Sequence, residues 1–119
     1  MTETSPRRLL LVAEIERLPH GFLVARSAHP SEWEIENVVV AEPARRPGLG
    51  AALVEAFLGR VRAEKQTESG VWGIYLEVRE SNLAARRLYE KCGFVIDRRR
   101  EGYYSHPDES AILYHLLFQ

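Results

Sequence analysis

The run VVVAEPARRPGLGAALVEAFL, residues 38–58, passes from three β-branched residues through a turn into an amphipathic stretch. The valines favour a strand. Leu49, Ala52, Leu53, Ala56, Phe57 and Val61 recur at helical spacing and give one apolar stripe over a helix at 49–64. A strand that feeds a helix across so short a turn brings the helix N-terminus to the strand's end. That terminus carries unpaired N–H groups and the positive end of the helix dipole. Glycines there let a bulky anion approach the backbone closely. Arg45, Arg46, Gly48 and Gly50 stand at this junction. Two readings are open from these residues: a phosphate or pyrophosphate site, or a tight turn that needs small residues. A nucleotide P-loop is excluded, because the Gly-Lys-Ser/Thr ending is missing. A dinucleotide fingerprint fails for want of a third glycine at the right spacing.

The rest of the chain supplies the frame. Residues 9–15 and 21–27 read as two strands, joined by turn chemistry at Pro19 and Gly21 into an antiparallel hairpin. Residues 33–40 form a third strand whose continuous apolar end suggests burial on both faces. Gly59 inside the first helix weakens its last turn. Residues 71–79 read as a buried strand. Residues 81–94 form a short helix, capped by Ser81 or Asn82 and ended by a left-handed Gly93. Ala84, Leu88 and Cys92 share one of its faces. Residues 94–100 and 111–118 read as final strands around the loop EGYYSHPDES. The order is three strands, helix, strand, helix, two strands. It gives a mixed sheet with two helices, of α+β or three-layer α/β type.

At 119 residues the chain fits one domain, residues 1–119, large enough to bury roughly two-thirds of its unfolded surface. A net charge of −1 offers no global attraction to nucleic acid or anionic membrane. Arg98 to Arg100 read as a solvated strand end, with an acidic partner as the alternative. The single cysteine, Cys92, rules out a disulfide framework and fits a reducing cytoplasm. Its place on the helical stripe makes it a core residue. The first apolar run is too short for a signal-peptide core or a membrane span. A cytoplasmic protein is expected.

The stretch RRPGLGA, residues 45–51, resembles the Arg/Gln-x-x-Gly-x-Gly/Ala signature of the GNAT superfamily of N-acetyltransferases. LEVRESNLAARRLYEKCGF, residues 76–94, is similar to the corresponding region of ribosomal-protein alanine N-acetyltransferases, the RimI-like branch. RRREGYY, residues 98–104, resembles their Arg-x-Tyr-Tyr segment. The resemblance covers about residues 9–118. It implies a mainly antiparallel mixed sheet flanked by helices and an enzyme that takes acetyl from acetyl-CoA, without a metal.

The resemblance also assigns roles. Val38, Val39 and Val40 match the strand end whose backbone pairs with the pantetheine arm, as a peptide joins a free edge. Arg45, Arg46, Gly48, Leu49, Gly50 and Ala51 match the pyrophosphate loop. Pro47 offers no N–H there, while its fixed φ suits a helix's first turn. Asn82 matches a cofactor-region asparagine and can equally cap its helix. Tyr89 matches the general acid for the departing CoA thiolate. Glu77, twelve residues before it, matches the catalytic glutamate. On alternation Glu77 points away from Trp72, Ile74, Leu76 and Val78, and a carboxylate in a buried strand is costly unless paired or functional. A salt bridge with Arg79 or another cation is its structural alternative. Glu34 and Glu36 are runner-up bases.

An amine must be neutral to attack a thioester. An N-terminal α-amine, with pKa near 8, is partly neutral at cellular pH, whereas a lysine faces roughly 3 kcal/mol more. A base therefore works more easily on an N-terminal acceptor. The resemblance implies direct transfer, with the oxyanion stabilised by strand backbone and Cys92 uninvolved. A protein or peptide N-terminus is the expected acceptor. A small-molecule amine and a non-catalytic acetyl-CoA-binding module are the alternatives. Members of the superfamily normally begin with a strand and one or two helices that this chain lacks. An upstream start, a covering second chain and a natural minimal form each account for that. Apolar sheet left uncovered would associate, so a homodimer is expected.

Overall fold

The structure, a computed structural model, describes residues 7–41, 48–65, 71–105 and 108–118. Six strands, β1 (Arg7–Ile15), β2 (Leu18–His29), β3 (Glu32–Val40), β4 (Trp72–Arg79), β5 (Val95–Ser105) and β6 (Asp108–Phe118), form one sheet in the order β1-β2-β3-β4-β6-β5. Two helices, α1 (Leu49–Lys65) and α2 (Leu83–Lys91), flank β4 in sequence. Every pairing is antiparallel except β3 with β4. That parallel pairing joins only Glu32–Glu34 to Gly73–Tyr75. Beyond it the two strands part, leaving an opening in the middle of the sheet.

Alternation along the strands sorts the sheet into two faces. Leu23, Ala25, Trp33, Ile35, Ile74, Leu76, Val78, Ile112 and Tyr114 lie on one face and pack with Leu53, Val54, Phe57, Leu58 and Val61 of α1 and Tyr89 of α2. Trp33 meets Phe57 edge-on, with ring centroids 5.7 Å apart. Both helices thus cover the same face, so the described residues form two layers, the α+β form of the expected mixed sheet. The other face carries Leu10, Val12 and Val39 in the open. The stripe on α1 is also turned from the one read in the sequence. Val54 and Leu58 are buried, whereas Ala52 and Ala56 are exposed, because the longer side chains gain more from burial.

Three further features differ from expectation. The first hairpin turns at Glu16 and Arg17, with φ of 52° and 69°, not at Pro19 and Gly21, which lie inside β2. Gly21 is small for packing instead: a Cβ there would stand 2.8 Å from the Val39 carbonyl oxygen and 3.4 Å from Leu53. The apolar end of β3 is not buried on both faces, for Val39 is 38% exposed. Most of the expected loop at 101–110 is strand, because register shifts between Arg100 and Tyr104 absorb its turn residues. Gly93, at φ 100°, ends α2 as expected, with Phe94 N–H returning to the Tyr89 carbonyl at 3.0 Å. Arg98 to Arg100 are exposed on β5, and Arg99 grips Glu80 with two bonds of 2.8 and 3.0 Å. No helix among the described residues is long and apolar enough to cross a membrane.

Candidate active site

A groove of about 610 Å³ runs between the free end of β3, the start of α1 and one side of α2. Val38, Val40, Gly48, Gly50, Ala51, Asn82, Ala84, Ala85, Leu88, Tyr89 and Lys91 line it. Each wall follows from local chemistry. Ala41 N–H bonds the His20 carbonyl at 2.8 Å. The alternation of an antiparallel ladder then commits the Val39 backbone to β2 and turns the amides of Val38 and Val40 outward. Those two valines present free strand edge to the groove. Val39 does not; it lines an apolar hollow on the opposite face with Leu10, Val12 and Phe22.

Gly48, at φ 88°, makes the turn into α1, a conformation that an L side chain resists. The first helical bond runs from Ala52 N–H to the Gly48 carbonyl at 2.8 Å. The N–H groups of Leu49, Gly50 and Ala51 precede it and have no partner within the helix. A Cβ on Gly50 would stand 3.4 Å from Leu88, at the groove wall. A free strand edge, a glycine-lined wall and unpaired helix N–H groups together fit an extended amide chain ending in a pyrophosphate. Leu49 is half-buried and is not among the lining residues. Arg45 and Arg46, with Pro47, lie outside the described residues.

Asn82 combines both of its readings. Its Oδ1 accepts from Ala85 N–H at 3.2 Å and caps α2, and the residue also lines the groove. Tyr89 sits on the same side, 6% exposed. Burial pushes its phenol up to about 12, so it stays protonated throughout the neutral range. Ala84 and Leu88, on the face shared with Cys92, line the groove, and Leu88 also packs against the core. Lys91 is a lining residue that sequence reading missed; its place in the last turn of α2 was the available signal. Cys92 is half-buried against the core, and burial pushes its thiol up to about 11.

Glu77 lies on the other face of β4. It is exposed, so the desolvation argument for its importance does not hold. Arg79 ion-pairs with Glu109 at 3.3 Å and stacks over the Tyr104 ring at 4.3 Å. Burial, and then the Glu77 carboxylate, raises the Tyr104 phenol above its ordinary value. Glu77 shares a small hollow of about 70 Å³ with Glu34, Tyr75, Leu76, Asp97, Leu113 and Tyr114. Of the runner-up carboxylates, Glu34 joins this hollow, whereas Glu36 faces Arg8 at 3.9 Å. The site is therefore two-sided: a groove with a phenol on the helix face, and carboxylates with aromatics on the open face. The parting of β3 from β4 lies between them.

A sheet parted in this way beside a glycine-turned helix defines a fold that can hold an extended thioester on one side and receive a nucleophile from the other. The Acetyltransferase (GNAT) family profile matches residues 2–94, and the chain belongs to that family. It is 42% identical over 84 residues to the [ribosomal protein bS18]-alanine N-acetyltransferase of Escherichia coli strain K12, covering 69% of this chain and 53% of that protein. The crystal structure of the ribosomal-protein-S18-alanine N-acetyltransferase from Escherichia coli superposes with a TM-score of 0.80 and 29% identity, over 93% of this chain and 69% of that one. An N-alpha-acetyltransferase of Saccharolobus solfataricus is 31% identical over 101 residues, 85% of this chain and 53% of its own length. A putative streptothricin acetyltransferase from Bacillus anthracis, crystallised with acetyl coenzyme A, gives a TM-score of 0.79 at 31% identity, over 97% of this chain and 65% of its own. The chain spans about half the length of the curated relatives it matches.

Proposed function

We propose that this chain, as one domain, transfers acetyl from acetyl-CoA to an amine, most simply the N-terminal α-amine of a protein or peptide. The observation that carries this reading is the two-sided site. Tyr89 lines the groove on the helix face, and Glu77 stands on the open face of the adjoining strand. The pantetheine amides would pair with the free edge at Val38 and Val40. The pyrophosphate would meet the N–H groups of Gly50 and Ala51, with Arg45 and Arg46 nearby in sequence.

The acceptor amine would enter from the open face. Glu77 takes its proton, directly or through water, as the nitrogen–carbon bond forms and the carbon–sulfur bond breaks. Tyr89 meets the departing sulfur as a hydrogen-bond donor. Burial keeps the phenol protonated, so it can donate to the developing thiolate and pass its proton to the departing sulfur. N-terminal specificity is supported by the named activities of the two curated relatives. The likeness to the streptothricin acetyltransferase favours a small-molecule amine as the second reading. Homodimer formation is supported by the apolar hollow around Leu10, Val12 and Val39, and the lone thiol supports a cytoplasmic setting.

The test is release of free thiol from acetyl-CoA with a panel of peptides and simple amines, N-terminal alanine peptides included. Peptide-dependent release supports the reading. Release with small amines alone favours the second. Acetyl-CoA binding without release from any acceptor favours a binding module.

A further inference from the structure

We propose that Tyr114 is a positioning residue: its hydroxyl sets the rotation and depth of α2 and so holds the Tyr89 phenol in the groove. Tyr114 lies on β6 opposite Leu76 of β4 and is 1% exposed. A phenylalanine would fill that volume. A buried hydroxyl is unfavourable unless partnered, and both partners of this one come from α2. It donates to Glu90 Oε2 at 2.6 Å and accepts from Arg86 Nε at 3.1 Å.

Arg86 and Glu90 are four residues apart, one helical turn, and Tyr89 lies between them. A single oxygen that contacts both fixes the helix about its axis and along it. Turning α2 by one residue, about 100°, would break both bonds. Arg86 also donates from Nη1 to the Glu80 carbonyl at 3.0 Å, tying the same turn to the end of β4. The end of α2 is held separately by the Phe94-to-Tyr89 backbone bond, so the hydroxyl acts on the turn that enters Tyr89. The two tyrosine rings are neighbours, with centroids 6.5 Å apart. Without the hydroxyl, Arg86 and Glu90 can pair with each other along the helix. The helix then survives and settles differently.

This inference rests on the acetyl-transfer reading, in which Tyr89 meets the leaving sulfur. The test is a kinetic cycle of Tyr89→Phe, Tyr114→Phe and the double variant, with thiol release as the readout. Tyr114→Phe is expected to lower kcat about tenfold or more while KM for acetyl-CoA changes little. In the Tyr89→Phe background it should have almost no further effect. Glu90→Gln, which keeps an acceptor, should retain the wild-type rate, and Glu90→Ala should behave as Tyr114→Phe. These exposed-end variants keep the test open if Tyr114→Phe fails to fold. Equal losses from Tyr114→Phe in both backgrounds, or a wild-type rate for Glu90→Ala beside a slow Tyr89→Phe, overturn the positioning role alone. A Tyr89→Phe protein as fast as wild type, or a wild-type chain without turnover, overturns the reading beneath it.

Discussion

Tyr89 and Glu77 stand on opposite faces of the sheet, at the place where β3 and β4 part. Alternation along β4 forces this separation. Leu76 and Val78 enter the core that holds Tyr89, so Glu77 between them must leave it. A base and a thiolate-facing donor on two sides of one opening suit a reaction whose substrates arrive from different directions.

Asn82 has two duties that substitution can separate. Asn82→Ala removes the cap of α2 and should lower stability by about 1 kcal/mol, with a rise in KM for acetyl-CoA. Asn82→Ser restores a capping oxygen and should recover the melting temperature without recovering KM. Recovery of both by serine would leave the residue with the capping role alone.

The first hairpin holds Glu16 and Arg17 in left-handed conformations, both exposed. Replacing Arg17 with glycine removes a steric penalty of about 1 kcal/mol. Arg17→Gly should raise the melting temperature by about 4 °C, and calorimetry reads it directly. A fall would show that the Arg17 side chain contributes more than its backbone strain takes away.

Alkaline pH should destabilise the fold. Burial raises Tyr89 from 10.0 to about 12, so between those values the folded state binds more protons than the unfolded one. Stability is then fully present below pH 10 and falls as pH rises towards 12, by about 3 kcal/mol for this group. Cys92, raised from 9.0 to about 11, adds a fall in the same direction that begins near pH 9. Denaturant titrations from pH 8 to 11 should show the decline, and Tyr89→Phe should flatten its upper part.

The elements were legible where a local pattern decides them. The junction at 38–58, the capped helix at Asn82 and the left-handed Gly93 follow from propensity and turn chemistry. The misses share a different cause. The hairpin turn at Glu16–Arg17 uses neither asparagine nor glycine, so Pro19 and Gly21 drew the boundary to themselves. Ala84 and Leu88 carry a core-like spacing, but they face a groove that only the neighbouring β3 and α1 create. Glu77 looked buried because its strand neighbours are apolar, and nothing local says that one sheet face stays open. The Tyr114 hydroxyl has no signal at all in the chain, since its partners are 24 and 28 residues away.

Incubation of the purified chain with acetyl-CoA and a peptide beginning with alanine, read by fragment-ion mass spectrometry, tests the central claim most directly. The account predicts acetyl on the α-amine, with Glu77→Gln slower by about a hundredfold or more. Acetyl on a lysine side chain alone, or no acetylated peptide while calorimetry shows acetyl-CoA bound, would contradict it.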